Sequence, residues 1–545
     1  MVDESGEGDN GSSVSSGITS HRSDSPRETK PVADTVEGVD IISSMPHEIL
    51  HHILSFIPTR DAIRTSVLSR GWRHVWCNTP CLHFDNLGIE EMSRNIIQTL
   101  SSYKAPRITS CYLRMPRGYH KHNDNWMEFV VSRNVEKLTL SSLETLSVDY
   151  DMIPGCTVSW KSLRKLKLGN CNLYGKIIDN ILSGSPILET LELFHCRGPQ
   201  RLDLNKSRSL RRLEIYDYDG EPTEIDDYDE HYQGPNEIVA PHIQYLSLCS
   251  SYGPFTLVDV SCLAEASIHI YLDAYELPFN LKAEIFQTAV LEMLAKLQNA
   301  ERLSFDGTLL QILSLAQLRG VSFPTFKVQT LTLKTTLARS VIPGITMLLH
   351  NSPGLKKLIV EASQLGDIED RDIYSYLESQ GLDPDQSWYS YKFFPTSDEF
   401  YAIVKDKEST WEVVVLFVEM MLINVTTLET LVVGLEYIGR CFNNAKLHEE
   451  VLRMLPTLVN NNNVSIVLKL GNVAGQRRRQ QAVTVAKERR ESLVRAKRLC
   501  RVGTNGDDED DPHVENEMLI DEEQPVLEAQ TSKAVEELKS ALQYQ

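Results

Sequence analysis

The stretch "LRKLKLGNCNLYGKIIDNILSGSPILETLELFHC", Leu163 to Cys196, writes one short pattern twice. The first copy is Leu163-Leu166-Leu168 and the second is Leu188-Leu191-Leu193, each of the form L-x-x-L-x-L. Leucines two apart, with Lys or Glu between them, predict a short strand that buries one face and wets the other. Cys171 and Cys196 each follow the last leucine of their copy by three residues. Small residues recurring at one place in a repeated pattern predict packing, not reactivity, for both thiols.

The pattern persists outward in both directions. Leu210-Leu213-Ile215 and Ile243-Leu246-Leu248 continue it closely. Looser copies are Val135-Leu138-Leu140, Leu263-Ala266-Ile268, Ala300-Leu303-Phe305, Val328-Leu331-Leu333, Leu355-Leu358-Val360 and Leu428-Leu431-Val433. The central residues Leu138, Leu166, Leu191 and Leu213 are 28, 25 and 22 residues apart, and Leu303, Leu331 and Leu358 are 28 and 27 apart. A period of about 20–29 residues with one strand per unit is that of leucine-rich repeats, and its Asn/Cys position suits Cys171 and Cys196. The fold class expected is α/β, with a repeat solenoid over residues 131–470. Two insertions break the rhythm, at 216–237 and 364–412. The first holds eight carboxylates between Tyr216 and Tyr232 and no Lys or Arg. Asp217, Asp219 and Glu221 hint at calcium, but no EF-hand glycine follows in register. The second carries Trp388, Tyr389, Tyr391, Phe393, Phe394, Phe400, Tyr401 and Trp411. So aromatic a segment either packs on the repeats or belongs to a binding surface.

Composition bounds the function. A net charge of −20 over 545 residues argues against a general nucleic-acid or anionic-membrane binder. The start, MVDESGEGDN, lacks the basic and apolar regions of a secretory signal. Val413 to Val425 is short and interrupted by Glu419, so no bilayer span is expected. Ten cysteines in so long a chain read as reduced thiols of a cytoplasmic or nuclear protein. Residues 1–39, rich in Ser, Gly, Asp and Glu, are expected to be a disordered leader.

A second stretch, "SMPHEILHHILSFIPTRDAIRTSVLSRGWRHVW", Ser44 to Trp76, follows that leader. Ser44 is a plausible N-cap, with Pro46 tolerated in the first turn. Ile49, Leu50, Ile53, Leu54 and Ile57 recur at helical spacing, and Pro58 stops the run. Thr59 is read as the cap of a second short helix carrying Ala62, Ile63 and Val67. Ser69 is read as the cap of a third carrying Trp72, Val75 and Trp76. Three such helices form a marginal core, so apolar surface is expected to await a partner.

His47-Glu48-Ile49-Leu50-His51 matches a zinc-protease pattern, but no third ligand and no preceding sheet accompany it. His74, Cys77, Cys81 and His83 are a second loose cluster, broken by Pro80. Neither is expected to hold metal. No phosphate loop, nucleophile elbow or dinucleotide fingerprint appears, so no cofactor and no enzyme activity are expected.

Met45-Pro46-x-Glu48-Ile49-Leu50-x-x-Ile53-Leu54-Ser55-Phe56, then Arg64 to Arg70 and Trp72-Arg73-x-x-Trp76, resembles an F-box of the plant type followed by leucine-rich repeats. Gly71 departs from it, since the family usually carries a basic residue there. The resemblance implies an F-box over 41–85, a connector over 86–130, and then the repeats. It implies the substrate-recognition subunit of an SCF-type cullin ubiquitin ligase, docking on a Skp-type adaptor while the repeats hold a protein substrate. Pro46, Ile49, Leu50, Ile53, Leu54, Ser66, Val67, Leu68 and Trp72 match the docking motif, and Trp76 is assigned to the core. The competing expectation is a non-ligase scaffold, whose helices merely cap the repeats and bury Ile49 to Ile57.

Residues 471–545 form a basic and then acidic tail. Arg477 to Arg501 carries ten Lys or Arg and two Glu before Asp507 to Asp511 reverses the sign. The bland reading is a solvated charged helix. Arg477, Arg478, Arg479, Arg489 and Arg490 are also candidates for a nuclear-import address. The tail resembles the N-terminal, importin-beta-binding segment of an importin-alpha-like armadillo protein, which implies importin-beta as a partner.

Overall fold

The structure is a computed structural model. It describes residues 45–85, 100–115, 129–142, 159–217, 236–250, 254–270, 279–362, 368–400, 410–434, 464–469 and 482–484, with single breaks at 131, 175, 398 and 426. Two units divide after Pro46, Met1–Pro46 and His47–Gln545, and only residues 45 and 46 of the first are described. Ser44, the leader and most of the tail lie outside the described residues.

The second unit is mixed α/β. Its backbone is a 14-stranded sheet. In spatial order the strands are β1 (Cys81–Phe84), β2 (Ser110–Met115), β3 (Lys137–Ser142), β4 (Lys165–Gly169), β5 (Thr190–Phe194), β7 (Arg212–Asp217), β9 (Tyr245–Ser250), β11 (Glu265–Ile270), β12 (Arg302–Asp306), β13 (Thr330–Thr335), β14 (Lys357–Ala362), β15 (Thr430–Gly434), β16 (Ser465–Lys469) and β17 (Ala482–Thr484). All pairings are parallel except the last, where β17 runs antiparallel to β16. Parallel neighbours require a crossover between them. From β5 to β11 the crossovers carry short strands β6 (Arg201–Asp203), β8 (Glu237–Val239) and β10 (Thr256–Asp259), which pair as a second small sheet.

Among the described residues, helices cross between β4 and β5 and between β11 and β15: α3 (Ile177–Gly184), α4 (Phe279–Lys296), α5 (Gly307–Leu318), α6 (Ile342–His350), α7 (Asp370–Ser379) and α8 (Thr410–Asn424). No described helix is long and apolar enough to cross a membrane.

The last two apolar positions of every L-x-x-L-x-L copy read from the sequence lie on a strand, the first just ahead of it, and the register explains the repeat. Leu138, Leu166, Leu191, Leu213, Leu246, Ala266, Leu303, Leu331, Leu358 and Leu431 sit opposite one another from strand to strand. All of them are buried in one continuous apolar core. A one-residue slip would turn a whole strand's leucines outward, so the pattern fixes the pairing.

The segment 86–130, expected as a connector, contains a repeat of its own. Ile108-Cys111-Leu113 is the motif with Cys in a leucine's place, and Cys111 pairs with Leu138 in the ladder. Leu82 and Phe84 on β1 and Ile466 on β16 extend the same ladder at its ends.

Cys171 and Cys196 are buried as expected. Each follows a left-handed residue, Asn170 at φ 53° and His195 at φ 48°, that turns the chain off its strand. Cys171 Sγ donates to the Gly169 carbonyl at 3.3 Å and Cys196 Sγ to the Leu168 carbonyl at 3.4 Å. A hydrogen bond with Cys196, reinforced by burial, holds the Cys171 thiol well above its ordinary value. Both are structural thiols.

The aromatic insertion at 364–412 packs on the helical side where it is described. Tyr376, Trp388, Tyr391, Phe394 and Phe400 are buried in the common core. Polar contacts anchor it: Gln287 Nε2 donates to Tyr376 Oη at 3.0 Å, and the Arg339 N–H donates to the Pro395 carbonyl at 2.7 Å. Of the acidic insertion, residues 218–235 lie outside the described residues. In the tail only Ala482–Thr484 is described, and it is a strand, not the helix expected. Its partner β16 offers an unpaired edge, which outweighs the weak helical stripe.

Candidate functional site

The N-terminal stretch folds as α1 (His47–Leu54), α2 (Thr59–Arg64) and two 3-10 segments, Thr65–Val67 and Trp72–Asn78. The third helix expected is thus a 3-10 segment of seven residues. It is short and begins after Gly71, whose backbone lacks helical bias. Gly71 nevertheless has ordinary helical angles, φ −65° and ψ −35°, and an added Cβ would sit 3.6 Å from Ser69 Oγ. Gly71→Ala therefore fits without strain and restricts only the unfolded chain. It is expected to stabilise the protein by about 0.4–1 kcal/mol, read as a raised thermal midpoint.

Adjacent apolar residues on α1 divide between two faces. Leu50 and Leu54, one turn apart, are 2% and 3% exposed, whereas Ile49 and Ile53 are 47% and 43% exposed. The inward pair joins Ala62, Trp72, Val75, Trp76 and Cys77 among the buried residues of the module. Phe56, Val67 and Leu68 are exposed with Ile49 and Ile53. These five are among eleven exposed large hydrophobics in the described chain, so almost half fall within twenty residues. Such a concentration marks an interaction surface. Phe56 stands edge-on to His52, with ring centroids 4.8 Å apart.

The candidate docking residues therefore separate. Pro46, Ile49, Ile53, Val67 and Leu68 are exposed and Ser66 is half-buried, while Leu50, Leu54 and Trp72 are internal. Phe56 belongs to the motif but not to the docking residues that the sequence assigns, because helical spacing alone does not tell an outward residue just past α1 from an inward one.

Thr59 does not cap α2. Its Oγ1 accepts the backbone N–H of His83, on β1, at 2.7 Å. The helical module thus closes the first edge of the sheet through α2, leaving the apolar face of α1 free. Thr59→Val keeps the shape and removes the acceptor. It is expected to cost about 1–3 kcal/mol and to speed exchange of the His83 amide.

The ring centroids of His47 and His51 are 6.1 Å apart. Burial, helped by His47 and opposed by Glu48, lowers the His51 pKa. Burial also raises the thiols of Cys77 and Cys81. Among the described residues no group of three or more His, Cys, Asp or Glu comes together as a metal site.

The repeat strands offer the second surface. Residues between the buried leucines line one open face of the sheet. On β4, β5, β7 and β9 it carries Lys165, Lys167, Glu192, Phe194, Arg212, Glu214, Tyr216 and Tyr245. Phe194 and Tyr216 stack with centroids 4.5 Å apart and planes 11° apart. Tyr216 Oη donates to Glu214 at 3.0 Å. Burial, opposed by the hydrogen bond with Ser247 and reinforced by Glu214, pushes Tyr216 up to about 12, so it stays a neutral donor. Further along, burial and then Lys334 lower His269 to about 4, leaving it a neutral partner of Ser267 at 2.9 Å. Ser267 and His269 are the hydroxyl–imidazole pair of this face, and burial keeps the imidazole neutral.

Arg477, Arg478, Arg479, Arg489 and Arg490 lie outside the described residues. Neither matching family model reaches them. An F-box domain model matches residues 42–84, and the model of the LRR repeats of FBD-associated F-box protein At5g56370 matches residues 124–229. The chain is 47% identical over 483 residues to the putative F-box/LRR-repeat protein At3g28410 of Arabidopsis thaliana, an alignment spanning 82% of this chain and 97% of that protein. It is 43% identical over 461 residues to the F-box/LRR-repeat protein At5g02910 of the same plant, spanning 80% and 96%. With the helical module, the leucine ladder and these likenesses in agreement, the chain belongs to the F-box/LRR-repeat family.

Proposed function

We propose that this protein is the substrate-recognition subunit of an SCF-type cullin ubiquitin ligase. The helical module docks on a Skp-type adaptor, and the leucine-rich-repeat solenoid holds a protein substrate near the ubiquitin-charged enzyme. The protein supplies position and no bond chemistry. One observation carries the reading: Ile49, Ile53, Phe56, Val67 and Leu68 are apolar and exposed on a module whose own core is already filled. Burying each against a partner contributes about 1.5–3 kcal/mol. Leu50, Leu54 and Trp72 act indirectly, by holding the shape of that surface.

The test is hydrogen exchange on the full chain with purified Skp-type adaptor. Exchange over residues 45–76 is expected to slow on adding adaptor. An unchanged pattern would favour the competing scaffold, whose helices merely cap the repeats; that reading expects Ile49 to Ile57 buried, whereas Ile49, Ile53 and Phe56 are exposed. The basic run of the tail carries a separable reading, nuclear entry and importin-beta binding. Its support is the local excess of ten cations over two Glu in a chain of net charge −20. Residues 475–505 on a reporter too large to diffuse should enter nuclei, and should fail to do so when the five arginines become Ala.

A further inference from the structure

The open face of the sheet has a charge opposite to that of the whole chain. Between β3 and β9 it carries Lys137, Lys165, Lys167 and Arg212 against Glu192 and Glu214, four cations to two carboxylates in a chain of −20. What a partner meets is more one-sided still. The side chains of Glu192 and Glu214 are 8% and 10% exposed, whereas those of Lys165, Lys167 and Arg212 are 43%, 37% and 43% exposed. The carboxylates lie beneath and anchor the cations above them. Glu192 pairs with Lys165 and, at 3.9 Å, with Lys167, and Glu214 holds Arg212 Nε at 2.5 Å.

Aromatic rings fix the same cations from the side. Lys167 Nζ lies 3.8 Å from the Phe194 ring centroid, and the Arg212 guanidinium lies 3.5 Å from that of Tyr245. Each such contact attracts the cation to the negative face of the ring. A cation held by a carboxylate below and a ring beside it has lost its rotamer freedom in advance, so binding costs less entropy. The ammonium and guanidinium groups remain part-exposed on β4 and β7, the two strands that flank β5.

We propose that this platform, Lys165, Lys167 and Arg212 on β4 and β7, binds a carboxylate-rich segment of the substrate protein. The argument for that occupant is charge complementarity: the exposed cations attract carboxylates, while the acidic chain as a whole repels them elsewhere. The inference rests on the receptor reading and specifies its substrate class.

The experiment uses the full chain and fluorescence anisotropy. The probes are a short labelled peptide rich in Glu and Asp, its Gln/Asn isostere, and that isostere with phosphoserines inserted. The acidic peptide should bind about tenfold or more tightly than the isostere, with an affinity that falls as salt rises. Lys165→Gln with Arg212→Gln should weaken it about tenfold, and Lys206→Glu on the opposite side of the repeats should leave it unchanged. Because the double variant uncovers two buried carboxylates, Phe194→Ala serves as a second probe and should weaken binding without altering charge. Equal binding of the isostere, binding of the phosphorylated peptide alone, or indifference to both platform variants would overturn the proposal. Adaptor capture is read on the same samples. If capture stands and the peptide fails, only this inference falls; if capture fails for the unaltered chain, the receptor reading falls instead.

Discussion

Ile53→Arg combined with Leu68→Arg is expected to abolish capture of the chain by a Skp-type adaptor while leaving its thermal unfolding unchanged. Both side chains are exposed, Ile53 at 43% and Leu68 at 66%, so the free protein loses little packing. In a complex each lost apolar contact removes about 1.5–3 kcal/mol, and together they weaken binding by about a hundredfold or more. Burying two unpaired guanidinium groups adds to the loss. Leu50→Arg offers the contrast. Leu50 is 2% exposed, so a charge there should unfold the module and lower the thermal midpoint together with capture. Capture that survives the double substitution with the fold intact would remove these residues from docking.

Gly344→Ala is expected to be the most damaging single-methyl change in the repeats. Gly344 lies on α6, where an added Cβ would fall 2.2 Å from the Leu310 carbonyl oxygen and 3.0 Å from Ser314 Oγ, both on α5. Neither neighbour yields cheaply. Leu310 O is backbone, and it accepts from Ser314 Oγ at 3.0 Å, while the Gly344 N–H donates to the same hydroxyl at 2.8 Å. A methyl group must therefore separate two buried helices and break the hydrogen bond that joins them. The cost is expected to reach about 3 kcal/mol or more, measured by denaturant or thermal unfolding. Ser314→Ala, which leaves the Gly344 N–H unpaired but introduces no clash, should cost about 1–3 kcal/mol. Equal effects of the two would locate the loss in the hydrogen bond instead of the close approach.

Much of this architecture is legible in the chain itself. A leucine two residues from the next forces a half-buried strand, and recurrence near 25 residues leaves time for one crossover, so parallel stacking follows. The legibility fails where a leucine is replaced. Cys111 stands at the ladder position of β2, and with a cysteine in a leucine's place the Ile108-Cys111-Leu113 copy does not show as the leucine pattern. The aromatic insertion shows another limit. Its composition announces burial or binding equally, and only the packing of Trp388, Tyr391, Phe394 and Phe400 against the helical side decides for burial.

At the candidate docking site the division is sharper. The sequence alone determined that Ser44 to Trp76 is a small amphipathic helical module with more apolar residues than its own core can hold. It could not determine which of them turn outward. Ile49 and Leu50 are neighbours of similar size and hydrophobicity, and α1 is only two turns long, so a rotation of about 100° would exchange them. The same ambiguity hides the role of Thr59, whose hydroxyl suits a helix cap as well as the His83 amide 24 residues away. The tertiary structure settles both, because the buried wall of Trp72, Val75 and Trp76 accepts one face of α1 and the first sheet edge needs an acceptor. Period and composition fix what must be buried; only the shape of the neighbours fixes which side chain fills the space.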